Sequence, residues 1–421
     1  LSMKKILSAI ALSLSITIAS PFIQPVKAET KAPNIVGKSA LVMDIDTGEI
    51  IYSKNADDKM YPASITKLLT GVVLADNAQK SDEIKFTSDA KKQPEYSLDI
   101  NIAKGKIQVG DSMTASDAMK TLLLYSANDW AYAIADTIGG NSQNFAKMMN
   151  DEAKKIGMTN SNFVTPNGLH DDNHYTTAYD LSLLSKAAYD NPWVRETMSL
   201  AKDRVQTKNN IIALIDNRNK NLGIDGCIGG KTGYTEKAGR SLVGIYERNG
   251  RHLAGVVLKS EYDQQDTQVF KDMKAIIDYA YSADKVVTYS KDTVVAKIPV
   301  KYKSFRFFGE EKTLEVPVLV KEDITQYEND INKNDTKIDV KEGTLNPWKL
   351  KFGSNIATLT VKERNSEKTY DAYCNQSFSE LTKANIIGYI SIILGAVVAI
   401  LIVATIVLLI KKNLRRRKRY Y

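Results

Sequence analysis

Residues 386–410 form a run of 25 with no charged side chain. As a helix, at about 1.5 Å per residue, the run measures roughly 37 Å, longer than the ~30 Å hydrocarbon core of a bilayer. Lys411, Lys412, Arg415, Arg416, Arg417, Lys418 and Arg419 follow it directly. A buried helix of a soluble domain has neither that length nor that flank. The sequence therefore predicts a transmembrane helix over 386–410 and a basic tail over 411–421. The positive-inside rule sends the tail to the cytoplasm and everything before residue 386 to the outside. Any folded domain has to be sought in that outer part.

The other end of the chain agrees. Met3-Lys4-Lys5, an apolar stretch over 6–18, then Pro21, Pro25 and Val26-Lys27-Ala28 read as a secretory signal over 3–28, cleaved after Ala28. The stretch is short for a span. Leu1 and Ser2 precede the methionine and are set aside.

A formal charge of +8 would suit a nucleic-acid partner, but its location excludes one. Lys4, Lys5, Lys27 and the seven cations of the tail account for ten of the 57 Lys and Arg, whereas none of the 49 Asp and Glu lies in either end segment. Residues 29–385 thus carry 47 basic against 49 acidic groups, a net of −2. The tail is left to set topology and to meet anionic lipid. Cys227 and Cys374 lie in unlike contexts, a Gly-rich approach to a strand and the stretch before the membrane, and are read as unpaired. Neither they nor His170, His174 and His252 complete a metal-ligand spacing, so no metal is expected.

Within the outer part, residues 39–44 and 50–52 alternate as strands around the Asp46-Thr47-Gly48 turn, and an apolar helix runs over 64–75 behind Pro62-Ala63. Residues 116–189 carry helical spacing over 116–124, 130–138, 142–156 and 177–189. Strands return over 229–235, 240–247 and 252–258, the last two joined by Asn249-Gly250, before a helix over 268–281. Strands flanking central helices predict one α/β (α+β) domain over 33–283. From about residue 284 to 370 the texture changes to short alternating runs over 293–300, 313–320, 337–340 and 356–361, which predicts a second, all-β domain. A juxtamembrane connector is expected over 371–385.

Three short motifs carry chemistry. Ser64-Ile65-Thr66-Lys67 sets a hydroxyl at a helix start and an amine one turn on. The spacing recurs at Ser2, Ser88 and Ser282, but only Ser64 opens an apolar helix. Ser126-Ala127-Asn128 follows a Leu- and Met-rich helix; Ser53 and Ser142 begin the same pattern, and a helix cap would account for it alone. Lys231-Thr232-Gly233 occurs once, on a strand led in by Gly229-Gly230, and combines a cation, a hydroxyl and a position without Cβ.

In this order SxxK, SxN and KTG are the motif set of β-lactamases and penicillin-binding proteins. The surrounding text resembles the low-molecular-weight D-alanyl-D-alanine carboxypeptidases: residues 40–45, Pro62-Ala63-Ser64-Ile65-Thr66-Lys67, Asn167-Gly168-Leu169-His170, His174-Tyr175-Thr176-Thr177-Ala178 with Asp180, and 229–239. The resemblance is close over 40–258 and looser in the β domain, at Gly343-Thr344-Leu345 and 356–361. It implies a serine β-lactamase/transpeptidase-like fold. The chain departs from the family in its full spanning segment, where members often carry an amphipathic helix.

By that resemblance Ser64 is the nucleophile, Lys67 its base and Ser126 the proton relay to the leaving amine. Asn128 would hold the substrate amide, Lys231 and Thr232 would receive the terminal carboxylate beside Gly233, and the N–H groups of Ser64 and Tyr234 would form the oxyanion hole. A lysine works as a base near neutral pH only when burial and a nearby cation depress its pKa, and Lys231 is the cation the sequence offers. The substrate implied is a peptidoglycan stem peptide ending in D-Ala-D-Ala, with β-lactams as covalent inhibitors, no cofactor, and the plasma membrane as the third partner. Three other readings remain. One is transpeptidation on the same substrate. Another is a class A β-lactamase, whose usual ExxLN pattern is missing between Asn128 and Lys231. The last is a non-catalytic β-lactam sensor. His170, His174 and Cys227 are left between loop or packing roles and a place near the site.

Overall fold

The computed structural model describes residues 31–417 apart from 95 and 344. The expected signal over 3–28 and the last four residues of the tail lie outside the described residues. Strand β1 (Ser39–Asp44) and β2 (Ile50–Lys54) form the opening hairpin. Two short ribbons follow, β3 (Glu83–Lys85) with β4 (Ser112–Thr114), and β5 (Lys202–Gln206) with β6 (Ile212–Asp216). Then come β7 (Cys227–Thr235), β8 (Gly239–Arg248) and β9 (Arg251–Ser260). These complete a five-stranded antiparallel sheet in the order β2-β1-β9-β8-β7.

The alternation in β1 explains why this sheet is covered on both faces. Leu41 and Met43 enter the larger core, with Val243, Ile245, Ala254 and Val256 of the neighbouring strands. Ala40 and Val42 enter a second core with Leu242, Tyr246 and Val257. The larger core is filled by the helices α1 (Thr66–Asn77), α2 (Asn128–Gly139), α3 (Ser142–Lys155) and α4 (Ala178–Asp190). The second is closed by α5 (Gln268–Ser282), through Val269, Met273, Ile276 and Ile277. The α+β catalytic fold expected from the motif order is the one observed.

Beyond α5 the chain turns to strands: β10 (Val286–Tyr289), β11 (Val294–Lys303), β12 (Glu311–Leu319), β13 (Ile324–Gln326), β14 (Lys337–Glu342), β15 (Asn355–Lys362) and β16 (Glu367–Cys374). Five of them make a second antiparallel sheet, β11-β12-β16-β15-β14, around Ile298, Val316, Val318, Leu359, Tyr370 and Ala372. The turn between β15 and β16 grips the first sheet's domain. Arg364 binds both carboxylate oxygens of Asp57 at 2.6 and 3.0 Å and Asp335 at 2.5 Å, and Asn365 Oδ1 accepts from Tyr179 at 2.7 Å.

The connector expected over 371–385 is largely ordered structure. Tyr370, Ala372 and Cys374 alternate into the second core and carry β16 to Cys374, and α6 (Phe378–Ala384) follows. Helix α7 (Ile386–Arg417) is long and apolar enough to cross a membrane by length and composition, and it runs on past residue 410 into the basic residues.

The helix expected from Ser64 also begins later. Ala63–Ile65 is a 3-10 turn and α1 starts at Thr66, so Ser64 stands in the turn that leads into the helix. The turn is wedged by the loop before α4. Gly168 has φ +77, and a Cβ there would lie 1.9 Å from the Ala63 carbonyl oxygen. Gly250, at the tip of the β8–β9 hairpin, has φ +75 and nothing within 4 Å of the same point. A left-handed φ costs a non-glycine residue about 1–2 kcal/mol. Gly250→Ala should lose about that much in thermal or denaturant unfolding, whereas Gly168→Ala should lose clearly more. Equal losses would contradict this packing of the Ser64 turn.

Candidate active site

Ser64, Lys67, Ser126, Asn128, Lys231, Thr232, Gly233 and Tyr234 come from three separate stretches, and the fold brings them to one cleft. Edge strand β7 lies against the Ser64 turn because Gly233 has no side chain there. A Cβ would stand 2.9 Å from the Pro62 carbonyl and 3.2 Å from the Ile65 side chain. Ser126 follows a π-helical turn, Thr121–Tyr125, and holds φ +77. Single π turns and non-glycine left-handed residues each mark places where geometry is kept at a cost, about 1–3 kcal/mol for the latter. What that cost secures is the position of the Ser126 hydroxyl. Asn128 then opens α2, its N–H donating to the Tyr96 carbonyl at 3.1 Å.

Lys67 is fully buried. Its Nζ lies 2.9 Å from Ser64 Oγ, 2.7 Å from Asn128 Oδ1 and 2.7 Å from the carbonyl oxygen of Asn167. Burial pushes its pKa down to about 7; the Asp129 carboxylate works against the shift and the Arg218 guanidinium adds to it. Arg218 is thus a cation acting on Lys67 that the sequence did not signal, in addition to Lys231, whose own pKa Lys67 lowers. Lys231 is also buried, with Nζ 2.9 Å from Ser126 Oγ and 3.1 Å from the Thr232 carbonyl. Its pKa is pushed well below the ordinary lysine value, first by burial and then by Lys67, Arg218 and Arg240.

Several groups in this network carried no sequence signal. Asp129 is buried and takes three backbone N–H groups, from Leu98 at 3.0 Å, Asp99 at 3.0 Å and Trp130 at 2.9 Å, and burial raises its pKa to about 6. It thereby pins the segment bearing Tyr96 over the cleft. Arg218 donates to the Tyr125 carbonyl at 2.7 Å and lies between the rings of Tyr96 and Tyr125. Arg240 is paired through two bonds with Asp266, both at 2.7 Å. Tyr96, Arg218 and Arg240 line the cleft with Ser64, Ser126, Thr232, Gly233 and Tyr234. Asn167 was visible in the Asn-Gly-Leu-His stretch, but its contribution is a backbone carbonyl, which any residue supplies.

The histidines are engaged with partners other than Ser64. His170 meets Lys237 Nζ at 2.9 Å and Asp172 at 3.0 Å, beside the Tyr61 ring. His174 is buried. Its Nδ1 faces the N–H groups of Val164 and Thr165 at 3.1 and 3.2 Å, so Nδ1 accepts and Nε2 carries the hydrogen, donated to Thr66 Oγ1 at 2.8 Å. It is a neutral pin between the loop and α1, and burial lowers its pKa to about 4. Both cysteines are free and buried, Cys227 with Sγ 3.5 Å from Asn219 Nδ2.

A buried lysine at hydrogen-bond distance from a half-buried serine that lines a cleft, at the junction of an antiparallel sheet and a helical lobe, defines a serine acyl-transfer enzyme of the penicillin-binding class. The family described as D-alanyl-D-alanine carboxypeptidase matches residues 26–261. That is more than half of the chain, and the chain belongs to that family. It is 27% identical to the D-alanyl-D-alanine carboxypeptidase DacF of Bacillus subtilis over 86% of this chain and 91% of that protein. To DacC of Escherichia coli it is 34% identical, over 56% of this chain and 59% of that one. A penicillin-binding protein of Listeria monocytogenes, crystallised in its ampicillin-bound form, superposes with a TM-score of 0.51 at 29% identity, covering 59% of this chain and all of that one.

The neutral pin has a pH signature. His174 ordinarily titrates near 6.5 and does so here only near 4, so the unfolded chain takes up a proton first. The stability it confers is complete above about 6.5 and is lost as pH falls towards 4. The gap in unfolding temperature between the parent and His174→Gln should therefore narrow over that window. A gap independent of pH would contradict a His174 held neutral by burial.

Proposed function

We propose that this chain is a membrane-anchored, serine-type D-alanyl-D-alanine carboxypeptidase. It removes the terminal D-alanine of peptidoglycan stem pentapeptides through an acyl-enzyme on Ser64, and β-lactams acylate the same hydroxyl. One observation carries the reading: the Lys67 amine stands 2.9 Å from Ser64 Oγ with its other two partners fixed.

Neutral Lys67 has two N–H bonds and one lone pair. The two acceptors, Asn128 Oδ1 and the Asn167 carbonyl, take the hydrogens and leave the lone pair for the Ser64 hydroxyl. Ser64 Oγ gives its proton to Lys67 as it bonds to the carbonyl carbon, and the carbonyl electron pair moves to oxygen, towards the N–H groups of Ser64 and Tyr234. When the C–N bond breaks, Ser126 passes its proton to the departing amine and draws another from Lys231, 2.9 Å away, which the bound terminal carboxylate holds in its charged form against the downward push of burial. Lys231 and Thr232 receive the terminal carboxylate. Water then attacks the ester, returning a proton to the Ser126–Lys231 pair, while Lys67 gives back the proton of Ser64. Asn128 orients Lys67 through Oδ1, a role additional to the substrate contact expected of it.

Helix α7 is read as a single plasma-membrane span with the catalytic domain, 33–283, outside. The all-β domain, 284–370, is read as the spacer between that domain and the bilayer. The length of α7 and the basic residues at its end support this orientation.

With the full chain in detergent, Ser64→Ala should abolish both D-alanine release from a pentapeptide and covalent penicillin labelling. Rapid penicillin turnover without D-alanine release would overturn the assignment. Because neutral Lys67 is the base, acylation should rise as pH passes upward through about 7. Arg218 depresses the Lys67 pKa, so Arg218→Gln should move that rise to higher pH. A shift to lower pH, or none, would contradict Lys67 as the base.

A further inference from the structure

The hairpin joining β11 to β12 ends in Ser304-Phe305-Arg306-Phe307-Phe308-Gly309-Glu310. Phe307 is 77% exposed, the most exposed large apolar side chain among the described residues before α7, and Phe308 is 61% exposed. This exposure belongs to a fixed turn. The N–H of Phe305 donates to the Phe308 carbonyl at 3.1 Å, that of Arg306 to Lys303 at 3.0 Å and that of Ser304 to Glu310 at 3.1 Å. The rings of Phe305 and Phe308 stack at 5.3 Å, and the Arg306 guanidinium lies 5.1 Å from the Phe307 ring. Adjacent phenylalanines held rigidly in water mark a surface with a partner.

The tip is fastened to the start of α7. The Phe305 ring meets Tyr389 edge-on at 5.4 Å, Tyr389 Oη donates to the Ser304 carbonyl at 3.3 Å, and a Cβ on Gly388 would lie 3.1 Å from the Phe305 ring. Just ahead of the helix, Asn385 binds Tyr302 Oη at 3.2 Å and Lys312 Nζ at 3.1 Å. The tip therefore sits level with the first turn of α7. The apolar run exceeds the hydrocarbon core by about 7 Å, roughly one helical turn, so that first turn falls in the headgroup layer, where aromatic side chains concentrate.

We propose that Phe307 and Phe308 insert into the headgroup–acyl boundary of the leaflet that α7 enters, with the exposed cations Lys303 and Arg306 at phosphate level. The β domain then has two membrane contacts, a span and a wedge, and its tilt is fixed. This rests on the reading of α7 as a span. The occupant is lipid because the patch is continuous with a helix whose apolar side chains are themselves exposed.

The test uses the full chain in vesicles of phosphatidylethanolamine and phosphatidylglycerol, with Phe308→Cys and, separately, Phe307→Cys labelled by an environment-sensitive nitrobenzoxadiazole fluorophore. Phe352→Cys, at a position 70% exposed in the loop before β15, serves as the control. Both native cysteines are buried. Retained penicillin acylation verifies folding. The label at 307 or 308 should brighten severalfold on reconstitution and be quenched by lipid carrying a nitroxide at shallow acyl depth, while the label at 352 stays aqueous. If the protein floats with the vesicles but all three labels remain aqueous, the wedge is wrong and the span stands. If the protein does not float, the span fails and the wedge with it.

Discussion

The buried amine of Lys67 is the constraint around which the catalytic half is arranged. Taking an ammonium out of water is costly unless it is paired and hydrogen-bonded, or unless it gives up its proton. Here three segments converge to satisfy it: the Ser64 turn, the start of α2 through Asn128, and the loop before α4 through the Asn167 carbonyl. The same contacts make the amine useful. With two acceptors and one hydroxyl around it, an uncharged Lys67 has its lone pair directed at the Ser64 hydroxyl, and burial sets its pKa close to neutrality.

Much of the remaining structure holds those three segments in place. Gly168 lets the loop touch the Ser64 turn, and His174 ties that loop to Thr66. Asp129 fixes the segment of Tyr96 above the cleft and opposes the shift on Lys67, while Arg218 favours it. Asp129 and Arg218 thus tune one amine in opposite directions. The second lysine repeats the design on the edge strand, where Lys231 reaches Ser126 and Gly233 lets β7 close on the nucleophile.

The sequence was most legible where a residue type is required. Alternation in β1, the Asn249-Gly250 hairpin and the motifs at Ser64, Ser126 and Lys231 led to the sheet and to side chains that the fold gathers at one cleft. It was least legible where backbone groups or distant charges act. The Asn167 carbonyl has no residue signature, Arg218 arrives from the approach to β7 with no motif of its own, and the left-handed Ser126 is a property of the turn before it. The β5–β6 ribbon and β16 carry a weak inward signal, Val205, Ala213 and Ile215 or Tyr370, Ala372 and Cys374; the outward positions of β5 and β16 are mostly charged or polar, whereas in β6 the exposed Ile212 and Leu214 blur the alternation. The β domain shares no chemistry with the cleft. Its clamp through Arg364 and its junction with α7 concern where the cleft is held.

Lys67 gives up its proton near neutral pH in the resting enzyme, so that a large uncharged fraction stands ready there. Nuclear magnetic resonance of protein labelled with 13C at lysine Cε, with the Lys67 signal identified by its loss in Lys67→Arg, reads that charge directly. A signal titrating near pH 7 is predicted, well apart from the exposed lysines near 10.4. A Lys67 resonance that keeps its charged shift up to the range of the exposed lysines would contradict the claim.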